Sequence, residues 1–213
     1  MPTLALAGIA AVFARDVATA CAYSNDCIAL TSEHGLFHWA AYGRVLQGWA
    51  DAQKGEATTG IAHIRDGLVA FEATGARVTT PLFLTLLGEA LALAGKLEEG
   101  LTALDDALAT AAGSGVRGWD AEIHRLRAEL TGRLPYPDPA SAEESFRTAL
   151  AIAREQGTCG YELRAATSLA RLWRDQGRRA EAHELLAPVY GWFTEGFDTA
   201  DLKDAKALLD ELP

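Results

Sequence analysis

Two histidines four residues apart, His34 and His38, are the first residues whose spacing suits chemistry, since one helix would present both to a metal ion. Gly35 lies between them where a helix end is expected, and no H-E-x-x-H run or ligand carboxylate beyond Glu33 accompanies them. The pair therefore reads as turn residues, and no metal is expected. A phosphate loop needs G-x-x-x-x-G-K followed by Ser or Thr. Gly95-Lys96 is followed by Leu97 and its preceding glycine is seven residues back, the pattern of a helix-to-helix turn. Cys21, Cys27 and Cys159 form no C-x-x-C pair, and free thiols fit a reducing, cytoplasmic setting. His63, His124 and His183 stand on helices without a nucleophile partner. No catalytic residue and no cofactor is expected, and the chain reads as a non-enzyme.

Charge supplies the remaining chemistry. The 213 residues carry 19 Lys+Arg against 29 Asp+Glu, a net −10, which repels phosphate backbones and argues against nucleic-acid binding. The sign is unevenly spread. Residues 1–116 hold 6 basic and 12 acidic side chains, residues 117–179 hold 11 and 9, and residues 180–213 hold 2 and 8. All eleven basic residues of the middle block are arginine, the side chain that grips carboxylates with two parallel hydrogen bonds. Two readings stand side by side: these arginines take an acidic ligand, or they bridge to the acidic closing segment through Asp198, Asp201 or Asp204.

The elements that position these groups follow from glycine spacing. Gly8, Gly48 and Gly88 recur every 40 residues, as do Gly35, Gly75 and Gly115; Ala20, Gly60 and Gly100 keep the same step. Each unit reads as two helices. In the third, Thr80-Pro81 opens a leucine-rich helix that ends at Gly95-Lys96, and Leu97, Leu101, Leu104 and Leu108 line the second. No stretch alternates like a strand. The fourth unit is lengthened by Leu134-Pro135-Tyr136-Pro137-Asp138-Pro139, after which Ser141 and Glu144 have the spacing of a capping box. Leu202, Ala205, Leu208, Leu209 and Leu212 form a final apolar stripe, started by Asp198 or Thr199. The apolar run Leu4–Ala14 has no preceding positive charge and is too short to span a bilayer, so it reads as a buried first helix and not as a leader or membrane anchor.

Within a unit the order is small, turn glycine, small, large apolar, small, at offsets 0, 7, 12, 16 and 19, as in Gly88, Gly95, Gly100, Leu104 and Ala107. Small residues let two antiparallel helices approach closely, and the large one fills the gap to the next pair. These offsets resemble those of the tetratricopeptide repeat (TPR), as do Leu87-Gly88 and Leu169-Ala170, with the period stretched to 40. The resemblance implies an all-α, right-handed superhelical stack of about five helix-turn-helix repeats: about 1–35, 36–75, 76–115, 116–157 and 158–197. A capping helix over 198–213 closes what reads as one domain, 1–213. The segments 163–173 (Leu163-Arg164-Ala165-Ala166-Thr167 to Trp173) and 185–199 (Leu185-Leu186-Ala187-Pro188-Val189 to Thr199) resemble the TPR-like C-terminal region of large bacterial signalling proteins, predicted ATPases often carrying an adenylate/guanylate cyclase domain. That resemblance implies the C-terminal helical-repeat part of such a protein, or a free-standing relative, without the family's nucleotide-binding or cyclase motifs.

Trp39, Trp119 and Tyr161 start first helices at equivalent places and read as packing residues, and Trp173 takes a position usually buried in the repeat. In TPR-like stacks the first helix of each pair lines the concave face, through positions six and three before the small residue and one and four after it. Carried over, these are Tyr42, Val45, Trp49 and Ala52; Leu82, Thr85, Glu89 and Ala92; Glu122, Arg125, Glu129 and Gly132; and Arg164, Thr167, Arg171 and Arg174. The resulting groove, apolar at one end and arginine-rich at the other, is expected to bind a protein or peptide partner, or a neighbouring domain. The alternative is a small-molecule sensor with its ligand around Tyr42, Trp49 and the arginines. The first pair matches the repeat least well, and an exposed apolar face there would favour homodimerisation.

Overall fold

The computed structural model describes residues 2–213, apart from the side chains of Ser32, Glu33 and His34. Among the described residues there are eleven α-helices and no strand: α1 (Pro2–Phe13), α2 (Val17–His34), α3 (Phe37–Gln53), α4 (Ala57–Ala73), α5 (Thr80–Leu93), α6 (Leu97–Ser114), α7 (Asp120–Gly132), α8 (Pro139–Gln156), α9 (Cys159–Asp175), α10 (Arg179–Gly191) and α11 (Ala200–Glu211). They gather into two compact units, Met1–Val116 with α1–α6 and Arg117–Pro213 with α7–α11. Consecutive helices pair as α1/α2, α3/α4 and α5/α6 in the first unit, and as α7/α8 and α9/α10 in the second, with α11 against α9 and α10.

The glycine column at 35, 75 and 115 has a direct physical cause. Each ends a second helix in the left-handed region, φ 66, 79 and 73°, where a Cβ would be strained, and the Gly115 amide donates to the Ala111 carbonyl at 2.9 Å. The column at 8, 48 and 88 serves close approach instead. An ideal Cβ on Gly48 would lie 2.5 Å from the Gly60 carbonyl oxygen and 2.9 Å from the Ile64 amide nitrogen, so the backbones of α3 and α4 touch. At Gly88 the Leu104 side chain of α6 fills the equivalent space, 2.8 Å from such a Cβ.

Two expected caps shift. Helix α8 begins before Ser141, because Pro139 fits the first turn and the Asp138 carboxylate accepts from the Ala140 and Ser141 amides at 3.1 and 3.2 Å. Thr79, not Thr80, occupies the N-cap of α5. Helix α1 is only half covered: Ala5, Gly8, Ile9, Ala11 and Val12 are buried, whereas Leu6 is 61% exposed. The expected burial of the whole helix is therefore corrected to one face. Among the described residues no helix is long and apolar enough to cross a membrane.

Candidate functional site

The first-helix face of α3 and α5 is packed shut. Val45 is fully buried where an ideal Cβ on Gly67 would lie 2.6 Å from its Cγ2, so the small residue of α4 receives it. Tyr42 is buried against Phe71 and Phe83, ring centroids 5.4 and 5.0 Å away, and its hydroxyl hydrogen-bonds Thr79. Leu82 and Thr85 are buried, and the Thr85 hydroxyl donates back to the Pro81 carbonyl at 2.7 Å. Trp49, expected to face a concavity, is fully buried, and its indole donates to Glu89 Oε2 at 3.0 Å. Gln53 Nε2 donates to the other Glu89 oxygen at 2.8 Å, and Arg15 pairs with the same carboxylate. Glu89 thus ties the α1–α2 connection to α3 and α5. Arg15 does this from a left-handed backbone, φ 57°. No sequence spacing joins residue 15 to residue 89.

In the second unit the same positions build a polar cluster. Arg125 Nε and Nη2 donate to the two Glu122 oxygens at 2.9 and 2.7 Å. Its Nη1 reaches Glu129 Oε1 at 2.5 Å, which also accepts from Ser168 Oγ at 2.7 Å. The Arg125 and Glu122 side chains are 6% and 9% exposed. Thr167 is buried too, its hydroxyl on the Leu163 carbonyl at 2.7 Å. Arg164 bridges first helices, its Nη1 3.6 Å from Glu122 and its Nη2 2.8 Å from Asp201 of α11. Burial works against the Arg164 charge, but Glu122 and Asp201 outweigh it and hold the guanidinium protonated. Arg171 pairs with Asp204, and Arg174 Nη1 with Glu211 Oε2 at 2.6 Å. All three α9 arginines therefore meet carboxylates of α11. The acidic closing segment occupies this face, through two of the three aspartates expected and through Glu211, which was not.

Of the sixteen groove positions, the structure places Tyr42, Val45, Trp49, Ala52, Leu82, Thr85, Ala92, Glu122, Arg125 and Thr167 in the interior and leaves Gly132 exposed. Glu89, Glu129, Arg164, Arg171 and Arg174 are half-buried. The sequence pattern does not show what covers these positions. Trp173 behaves as a packing residue with a cationic lid, Arg178 and Arg147 lying 4.5 and 5.7 Å from its ring. His38 packs beside Trp39, Tyr42 and Phe71 with its Nδ1 3.3 Å from Thr74 Oγ1, while the His34 side chain lies outside the described residues. Among the described residues no group of three or more His, Cys, Asp or Glu is placed to hold a metal. A cleft of about 190 Å³ that the motifs did not indicate lies between α9 and the end of α10, lined by Arg154, Glu162, Pro188, Val189, Trp192 and Phe193.

The titrating groups of this unit give a pH dependence. Burial pushes the Glu143 carboxyl up, but the Trp173 indole and the adjacent Arg178 and Arg147 guanidinium groups together outweigh it and hold it below its ordinary 4.5. Burial, aided by Arg127, holds His124 below its ordinary 6.5. In both cases the unfolded chain binds more protons than the folded one, so stability rises with pH through each window. The urea midpoint of the second unit is therefore expected to decline as pH falls below 6.5 and to drop more steeply below 4.5. His124→Gln should flatten only the upper part of that profile, and Glu143→Gln only the lower. A midpoint unchanged between pH 7 and 4 would contradict both assignments.

No family model matches the chain. It is 32% identical over 128 residues to an uncharacterized protein of Rhizobium meliloti (strain 1021), an alignment covering 60% of this chain and 12% of that protein. This chain thus spans a small part of the relative's length. Among solved structures it is similar to nearly identical TPR-like repeats from a kinesin light chain-like protein of Podosopora anserina, at TM-score 0.54 and 15% identity over 99% of this chain and 95% of that one. A variant of the same protein gives TM-score 0.56 and 17% identity over 89% and 92%. At that identity the likeness concerns fold alone, and the fold is that of TPR-like helical repeats.

Proposed function

We propose that this chain is a non-catalytic interaction and regulatory module of a longer bacterial protein, of the ATPase or nucleotide-cyclase signalling kind, working in the cytoplasm. The observation that carries this reading is the row Arg164, Arg171 and Arg174, which holds the acidic helix α11 through Asp201, Asp204 and Glu211. A surface that selects an acidic helix within its own chain has the chemistry to engage an acidic segment of a partner or neighbouring domain along its open edge. The alignment with 12% of a much longer protein supports a part within a larger assembly. The ligand-sensing alternative needs space around Tyr42 and Trp49, and both are buried.

The test uses Arg171 and Arg174, which are 36% and 26% exposed and so tolerate substitution better than Arg164 at 10%. Wild-type chain and an Arg171→Glu, Arg174→Glu variant, both shown to be folded by circular dichroism, would serve as bait in lysate of the source cells. A partner retained by wild type and lost from the variant is the expected result. Capture that survives the charge reversal, or no capture at all, would count against the arginine face as the binding surface.

A further inference from the structure

The step of 40 that relates α1, α3 and α5 sets four positions side by side: Pro2, Tyr42 and Leu82; Thr3, Gly43 and Phe83; Leu6, Leu46 and Leu86; Ala10, Ala50 and Ala90. On α3 and α5 all eight of these residues are buried, Leu46 and Leu86 to 0% and 4% exposure. On α1 all four are exposed. On α3 two of these positions, Gly43 and Leu46, are covered by the pair before it. The Leu46 side chain lies against Gly8 of α1, 2.7 Å from where a Cβ would stand, and Gly43 faces Ser24, Cys27 and Ile28 of α2. The exposed face of α1 is the same surface one step earlier in the series.

Its composition agrees. No charged residue occurs between Pro2 and Ala14. The exposed side of α11, by contrast, carries the charged residues Lys203, Lys206 and Asp210. We infer that the Pro2–Thr3–Leu6–Ala10 face is a docking surface for one further helix pair of this same repeat type, supplied by a longer protein. That pair would offer Leu6 a small residue on its first helix, as Gly8 does for Leu46. The inference extends the reading of the chain as part of a larger assembly. It rests on α1 of the first unit and not on the α9 arginines of the second, so failure of the arginine test leaves it untouched and its own failure leaves that test standing.

A second copy of residues 37–81, joined ahead of Pro2, places Pro2 where Leu82 follows in the native chain and keeps the step of 40. In the full chain carrying this extension, α1 amide exchange is expected to slow at least about tenfold, as for a helix moved from an end to the interior. Leu6→Lys, expected to be near neutral in the chain without the extension, should abolish that protection. Exchange in α1 that is unchanged by the extension, or protection that survives Leu6→Lys, would overturn the inference. So would a dimer of the unextended chain, seen by sedimentation equilibrium and dissolved by Leu6→Lys, because a second copy would then be the occupant.

Discussion

Gly48→Ala is expected to destabilise the first unit by about 2–3 kcal/mol, while the chemically identical Gly113→Ala stabilises it by up to about 1 kcal/mol. Both glycines lie in helices, and in both cases alanine relieves the entropic penalty of glycine in the unfolded-to-helix transition. At Gly113 nothing lies within 4 Å of the new methyl group, so the gain is realised. At Gly48 the methyl group meets backbone, the Gly60 carbonyl oxygen at 2.5 Å and the Ile64 amide nitrogen at 2.9 Å. Backbone cannot rotate aside as a side chain does, so α3 and α4 must separate, and contacts along their whole length weaken. Gly60→Ala has the same consequence from the other side, with its Cβ 2.4 Å from the Gly48 carbonyl oxygen. The double variant should therefore cost clearly less than the sum of the two, since one separation accommodates both methyl groups. Urea denaturation with hydrogen exchange in α3 and α4 would read this out. Strict additivity, or a neutral Gly48→Ala, would refute direct backbone contact.

The legibility of this fold in its sequence has a physical basis in that contact. A helix crossing that admits no Cβ leaves glycine or alanine at a fixed interval, and a left-handed helix end leaves glycine at another, so two superposed columns betray the repeat. What covers a given face has no such signature. Trp49 occupies a position that points away from its own pair, yet the acceptor for its indole is Glu89, one full repeat later, and the arginine beside that carboxylate comes from the α1–α2 connection. Offsets along a helix give the direction of a side chain but not the depth of material above it. The α9 arginines show the intermediate case. Charge asymmetry pointed to the closing segment and to Asp201 and Asp204 by sign, whereas Glu211 depends on the register of α11 along α9, which no periodicity encodes. The start of α8 is ambiguous in the sequence for a similar reason: two cap signals three residues apart compete, and Asp138 followed by Pro139 wins.

Arg125→Ala should be the most damaging change among the second unit's charged residues, about 3–5 kcal/mol, against about 1 kcal/mol or less for Arg171→Ala. The two arginines stand on neighbouring first helices and each meets carboxylates, so the difference lies in solvent. The Arg171–Asp204 pair is 36% and 55% exposed, where water and salt replace most of what the partner supplies. The Arg125 and Glu122 side chains are 6% and 9% exposed. Removing the guanidinium strands the Glu122 carboxylate in a site water reaches poorly, and Glu129 and Ser168 lose a shared donor at the same time. Arg164, 3.6 Å from Glu122, softens the loss without matching the two short hydrogen bonds it replaces. Two further measurements separate desolvation from simple loss of packing. The Arg171→Ala effect should shrink in 1 M salt and the Arg125→Ala effect should not. Adding Glu122→Gln to Arg125→Ala should recover part of the stability, because a neutral amide is cheaper to bury than a carboxylate that has lost its two-point guanidinium partner. If Glu122→Gln instead adds its own full cost, Arg125 acts through packing of its aliphatic stem rather than through its charge.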